Sequence, residues 1–152
     1  MAEQGEETGR IVVGVDGSEP SKQALRWAVR QVELTGGVVE AVIAWEYPTF
    51  HGARGWFPPD STDEAELEGK ARREAARAVE QAVGPRPPVE VRVEARYGSP
   101  SGALIEASRG ASLLVVGSRG LGGFAGMLLG SVAQHCTRHA TCPVLVFRDG
   151  GP

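Results

Sequence analysis

The sequence predicts an α/β protein built on an open sheet of five parallel strands with helices on both faces. Three observations carry that expectation. Short β-branched apolar runs alternate with helical patterns from one end of the chain to the other. The runs at residues 11–15 and 113–116 are uninterrupted, as in strands covered on both faces. Each run then gives way to glycine-containing turn chemistry that leads toward a helix, and right-handed crossovers make such strands parallel.

Taken in order, residues 11–15 form the first strand and stop at Asp16-Gly17-Ser18. Ser18 suits an N-cap, Glu19 and Pro20 suit a first helical turn, and Ala24, Leu25, Ala28, Val29 and Val32 mark one helical face. That helix ends near Gly36-Gly37. Val38–Trp45 is a second strand, interrupted only by Glu40, and residues 48–60, with Pro48, Gly52, Gly55, Pro58 and Pro59, read as a loop of lid size. Thr62 or Asp63 caps a long helix in which Leu67, Ala71, Ala75, Ala78 and Ala82 recur every three or four residues beneath a Glu/Arg-rich outer face. It closes at Gly84-Pro85. Val89, Val91 and Val93 alternate with Glu90, Arg92 and Glu94, the pattern of a strand with one face less buried, as at a sheet edge. A short helix from Pro100 to Arg109, a strand at 112–116, a helix from Ser131 to His139 and a last strand Val144–Phe147, opened by Pro143, complete the chain.

At 152 residues the length is that of one domain, long enough to bury a core without disulfides or metals. A net charge of -3 gives no electrostatic reason to expect nucleic acid. Residues 1–9 are polar and acidic and lack the apolar segment of a signal peptide or anchor, so a disordered tail is expected there, with the domain at 10–148 and a second tail at 149–152. No apolar run approaches the roughly 20 residues that span a bilayer, and two cysteines make a poor disulfide framework. No membrane partner and a cytoplasmic location are therefore expected.

The candidate site is the glycine-dense stretch that follows the fourth strand. Residues 117–131 read Gly-Ser-Arg-Gly-Leu-Gly-Gly-Phe-Ala-Gly-Met-Leu-Leu-Gly-Ser. A loop that leaves the carboxyl end of a buried strand and enters a helix can turn several backbone N–H groups toward one point, which suits a phosphate. Gly117, Gly120 and Gly130 would let phosphate oxygens approach the backbone. Ser131 offers a hydroxyl and, with Val132, an N–H along the helix axis, while Arg119 is placed to reach a terminal phosphate or simply to be solvated. Ligands of open parallel sheets bind beyond the carboxyl ends of the strands, where strand order reverses. Asp16 lies at such an end, either as a ligand contact or as an element of its own turn. Trp56 and Phe57 would either fold over a ligand or hold their loop down.

Other chemistries fit less well. No lysine occurs in 117–131, so a Walker-type loop is absent. Gly120-x-Gly122-x-x-Ala125 mimics a dinucleotide fingerprint but falls late in the chain, without the acidic residue after the next strand. His135, Cys136, His139 and Cys142 make a metal site conceivable, since the histidines share a helical face; two partly exposed histidines and two ordinary buried or half-buried thiols are the simpler reading, and no metal is expected.

The spacing Gly117-x2-Gly120-x9-Gly130-Ser131 resembles the nucleotide-binding signature of the universal stress proteins. Val12-Val13-Gly14-Val15-Asp16-Gly17-Ser18, Tyr97-Gly98-Ser99-Pro100, residues 114–120 and Cys142-Pro143-Val144-Leu145-Val146 are similar to family segments in family order, from residue 10 to 148. The resemblance implies a Rossmann-like sheet of order 3-2-1-4-5, of the adenine nucleotide alpha hydrolase-like kind. It implies ATP, with or without magnesium, whose phosphates meet Gly117, Gly120, Gly130, Ser131 and Val132 while ribose and base lie near Gly14, Asp16 and Trp45. Glycine at 14 and tryptophan at 45 depart from the commoner proline and smaller apolar residue, which bears on the base. A homodimer through the last strand, Val144–Phe147, is also implied, and it would cover an apolar edge. With no histidine or paired carboxylates near the loop in sequence, a nucleotide-responsive regulator with an unidentified protein partner is expected and not a metabolic enzyme; a slow magnesium-dependent ATPase or phosphotransferase and a binder of AMP or cyclic AMP are the alternatives.

Overall fold

The computed structural model describes residues 9–47, 63–118 and 129–148. Five strands, β1 (Arg10–Gly14), β2 (Val38–Trp45), β3 (Val91–Tyr97), β4 (Leu113–Gly117) and β5 (Val144–Phe147), alternate with four helices, α1 (Glu19–Thr35), α2 (Glu64–Val83), α3 (Pro100–Ala107) and α4 (Ser131–His139). All neighbouring strands are parallel, in the order β3-β2-β1-β4-β5. The expected fold class is therefore observed, with β1 central and the winding reversing between β1 and β4. Residues 1–8 and 149–152 of the expected tails, the loop 48–60 with Trp56 and Phe57, Thr62, and Arg119 and Gly120 lie outside the described residues.

Side-chain alternation along the strands splits the core in two. On one face Ile11, Val13, Val39, Ala41, Ile43 and Val115 pack with Ala24, Leu25, Ala28 and Val29 of α1 and Ala71, Ala75 and Ala78 of α2. On the other, Val12, Val42, Leu114 and Val116 meet Leu104 and Ala107 of α3 and Ala133 and Cys136 of α4. Alanines on the inner face of α2 let this charged helix approach the sheet closely. Val12, Val13, Leu114 and Val115 are fully buried, and each such side chain contributes about 1.5–3 kcal/mol relative to exposure. The β1/β4 pair is thus a firmly anchored part of the sheet, and it carries both loops of the candidate site. The edges are looser: Val91 and Val93 of β3 are half-buried, as their alternation with charges implies, and so are all four residues of β5.

Local signals set the helix ends. Ser18 caps α1 through Ser21 N–H, Asp63 caps α2 through Ala65 N–H, and Ser99 caps α3 through Gly102 N–H. Helix α3 stops at Ala107, short of the expected Arg109: Ser108 N–H still reaches Leu104 at 3.0 Å, but Arg109 N–H turns to Glu106 at 3.3 Å and Gly110 takes a positive φ of 78°. Strand β4 begins one residue later than expected, since Ser112 uses both its N–H and its hydroxyl on the Arg10 carbonyl. At the amino edge of the sheet Arg10 ties three elements together. Its guanidinium bonds Glu40 at 2.9 Å and the carbonyls of Ala107 at 2.8 Å and Arg109 at 2.7 Å.

Candidate functional site

Strands β1 and β4 lie side by side with Val13 opposite Val115, so Asp16 and Gly117 leave the sheet along the same carboxyl edge. Ser118, which follows β4, is buried; its N–H donates to the Phe147 carbonyl at 2.8 Å and its own carbonyl accepts from Gly130 N–H at 2.6 Å. That bond closes the two ends of the glycine loop on each other. Gly130 then caps α4 in extended backbone (φ -71, ψ 168) with no side-chain hydrogen bond, and its carbonyl receives Gln134 N–H at 3.0 Å. The N–H groups of Ser131, Val132 and Ala133 have no intrahelical acceptor. In α1, α2 and α3 a side-chain oxygen takes one of these donors, whereas at α4 no side chain among the described residues caps the fractional positive charge of the helix terminus. Such a terminus accommodates an anion.

Asp16 caps the opposite side of the crevice. Its Oδ1 accepts from Ser18 N–H at 2.9 Å and from the Ser18 hydroxyl at 2.6 Å, and Gly17 completes the turn at φ +84, where a side chain would be strained. The turn role weighed for Asp16 is therefore real, and it also fixes an exposed carboxylate at the strand end. Gly117, Gly130, Ser131, Val132 and Asp16 share one edge of the sheet. Gly14 and Trp45 do not share a face. A Cβ on Gly14 would sit 2.7 Å from Leu104 Cδ1, on the α3 side, so close helix packing accounts for that glycine. Trp45 is buried on the α1/α2 side.

The indole of Trp45 meets two rings the sequence did not single out as a group. Tyr47 packs edge-on at 5.7 Å and Tyr97 at 5.1 Å, and the two tyrosines are 5.7 Å apart. Partial burial, and next the neighbouring Glu64 carboxylate, raise the Tyr47 phenol above its ordinary range. Only the pairing of Trp45 with Tyr97 across β2 and β3 reveals this group, and that register is a tertiary fact. Around α4, Cys136 is fully buried and its thiol is pushed up to about 11, first by burial and then by Cys142. Among the described residues no group of three or more His, Cys, Asp or Glu is placed to hold a metal ion, so the two thiols and two histidines do not converge into one site. No described helix is long and apolar enough to cross a membrane.

Residues 7–148 match the model of the Universal stress protein family. The universal stress protein Rv2623 of Mycobacterium tuberculosis (strain ATCC 25618 / H37Rv) is 33% identical over 147 residues, which cover 91% of this chain and 47% of that protein. The chain spans about half the length of the curated relatives it matches. Among solved structures, the universal stress protein UspA from Lactobacillus plantarum shares the fold, with a TM-score of 0.75 at 23% identity over 94% of this chain and 99% of its own. A universal stress protein in complex with cAMP superposes at a TM-score of 0.58 with 26% identity, over 93% of this chain and 97% of that one.

Proposed function

The chain belongs to the universal stress protein family, and from that premise we propose that it binds an adenine nucleotide, ATP by preference, and acts as a homodimeric, nucleotide-responsive stress regulator. One observation supports the reading: the amino terminus of α4 carries no side-chain cap among the described residues, and the Gly130–Ser118 bond holds it beside the carboxyl end of β4, next to the end of β1. Donors of this kind fit the oxygens of a phosphate chain, with the Ser131 hydroxyl beside them. Among the described residues, those that would hold ATP are Gly117, Gly130, Ser131 and Val132 at the phosphates and Asp16 at the ribose side. Magnesium, when bound with ATP, would neutralise phosphate charge; this chain's own part is to orient the anion and exclude water from it. The absence of lysine from 117–131 supports a binding role over P-loop hydrolysis.

The complex of a relative with cAMP makes a single-phosphate ligand the competing reading. Thermal unfolding with ATP, AMP and cyclic AMP in turn separates the two, because a ligand at about 100 times its dissociation constant adds about 2.7 kcal/mol of stability. ATP is expected to give the largest shift, and Gly130→Val is expected to abolish it while the unliganded fold survives. Unchanged ATP affinity in Gly130→Val would reject the site. Steady ADP release in magnesium, lost in Asp16→Ala, would instead identify a slow ATPase.

A further inference from the structure

The outer surface of α4 carries a second cluster that the nucleotide reading leaves unused. His135 and His139 are both exposed and stand one helical turn apart, their ring centres 6.1 Å from each other and their planes tilted by 33°. His135 Nδ1 lies 3.1 Å from the Ser131 carbonyl oxygen. A carbonyl only accepts, so Nδ1 carries the proton and the neutral ring is left with its lone pair on Nε2. Histidines that bind metal are oriented in this way, one nitrogen held by an acceptor and the other available. This is the supporting hydrogen bond that spacing alone could not reveal.

The distances suit one ion. With bonds of about 2.0–2.1 Å to one nitrogen of each ring, an ion lies about 3.2 Å from each ring centre, so it can join centres up to about 6.4 Å apart. The observed 6.1 Å falls inside that span. Bending from there to a tetrahedral angle needs a shift of about 1 Å and to a cis-octahedral angle about 1.6 Å, within the reach of rotations of two exposed side chains. Neither thiol competes: Cys136 is buried, and the Cys142 Sγ is engaged with the Pro143 carbonyl at 3.4 Å. His139 also lies in the last turn of α4, where the helix dipole favours a cation.

We propose that His135 and His139 form a two-imidazole surface site for a divalent transition ion of borderline softness, such as zinc, nickel or copper, with water completing its coordination. Two protein ligands, with water at the other positions, make this an exchangeable site and not a structural one. The site is separate from the nucleotide crevice and needs no nucleotide.

Equilibrium dialysis of the tag-free full chain against Ni2+ alone, with metal analysis, tests it. One ion per chain is expected, with affinity reduced about tenfold or more in His135→Gln and in His139→Gln, glutamine being a good helix former, and unchanged in His51→Gln and Cys142→Ser. No uptake by the parent chain at millimolar Ni2+ would overturn the site. So would uptake that persists in the His135→Gln/His139→Gln double variant, or uptake that depends on His51 or Cys142 instead.

Discussion

Leu104 occupies the space that a side chain at residue 14 would need. Because Leu104 is itself buried, Gly14→Ala must displace packed atoms, and urea unfolding is expected to show a loss of about 1–3 kcal/mol. Leu104→Ala creates the missing room, so the double variant is expected to lose less than the sum of the two single changes; strict additivity would show that the clash is not the cause. Cys136 supplies a prediction in pH. Burial pushes its thiol up to about 11 in the folded chain from 9.0. The unfolded state therefore gives up this proton first, and the contribution is intact below about pH 9 and lost as pH rises toward 11. The parent is expected to lose on the order of 2 kcal/mol more than Cys136→Ala across that window, and parallel stability curves would contradict it. At this scale the sequence was informative about residue type and less so about reason. Glycine at 14 pointed through resemblance to a ligand, whereas the side chain that excludes a Cβ there comes from a helix ninety residues away.

Among the elements, α4 differs from the other helices in leaving its first turn without a side-chain cap. Gly130→Asp would supply one in an extended conformation that aspartate adopts readily. Stability is expected to rise by a few tenths of a kcal/mol, because glycine is already a tolerable cap. ATP affinity should fall more than tenfold, since the new carboxylate meets the phosphates. Opposite signs in calorimetry and thermal unfolding would mark a helix end kept open for a ligand; loss of both would mean that Gly130 serves the fold. At the far edge of the sheet, Arg10→Met breaks the tie between β1, Glu40 and the end of α3. About 1–3 kcal/mol should be lost in urea with nucleotide affinity unchanged, because the tie lies at the amino ends of the strands. All nine described elements were legible from periodicity and capping, and boundaries such as those of β1, β3, α3 and β4 moved by a residue or two. The aromatic group was hidden for a different reason: Tyr47, Trp45 and Tyr97 meet only once β2 and β3 are in register.

For the molecule as a whole, the two sheet edges are unlike. The β3 edge carries the ion pairs Arg92–Glu90 and Arg96–Glu94, which discourage pairing with another chain. Strand β5 reads Val-Leu-Val-Phe, half-buried throughout. This asymmetry supports association of two copies through β5. Sedimentation velocity at micromolar concentration is expected to give a dimer, and Val146→Lys a monomer; a parent chain that sediments as a monomer would remove dimerisation from the proposed function. The crevice between β1 and β4 was foreseeable because alternating strands and helices, together with the Asp16 and Gly117 turns, admit few other arrangements. The glycine loop from Arg119 and Gly120 through residue 128 lies outside the described residues.

Placing β1 at the centre also sets a timetable for synthesis. Its Arg10 carbonyl is claimed by Ser112, 102 residues later, a length that a ribosome translates in about 5–20 s. Throughout that interval β1 lacks one of its two neighbours, so its apolar backbone edge on that side stays unpaired until β4 has been made.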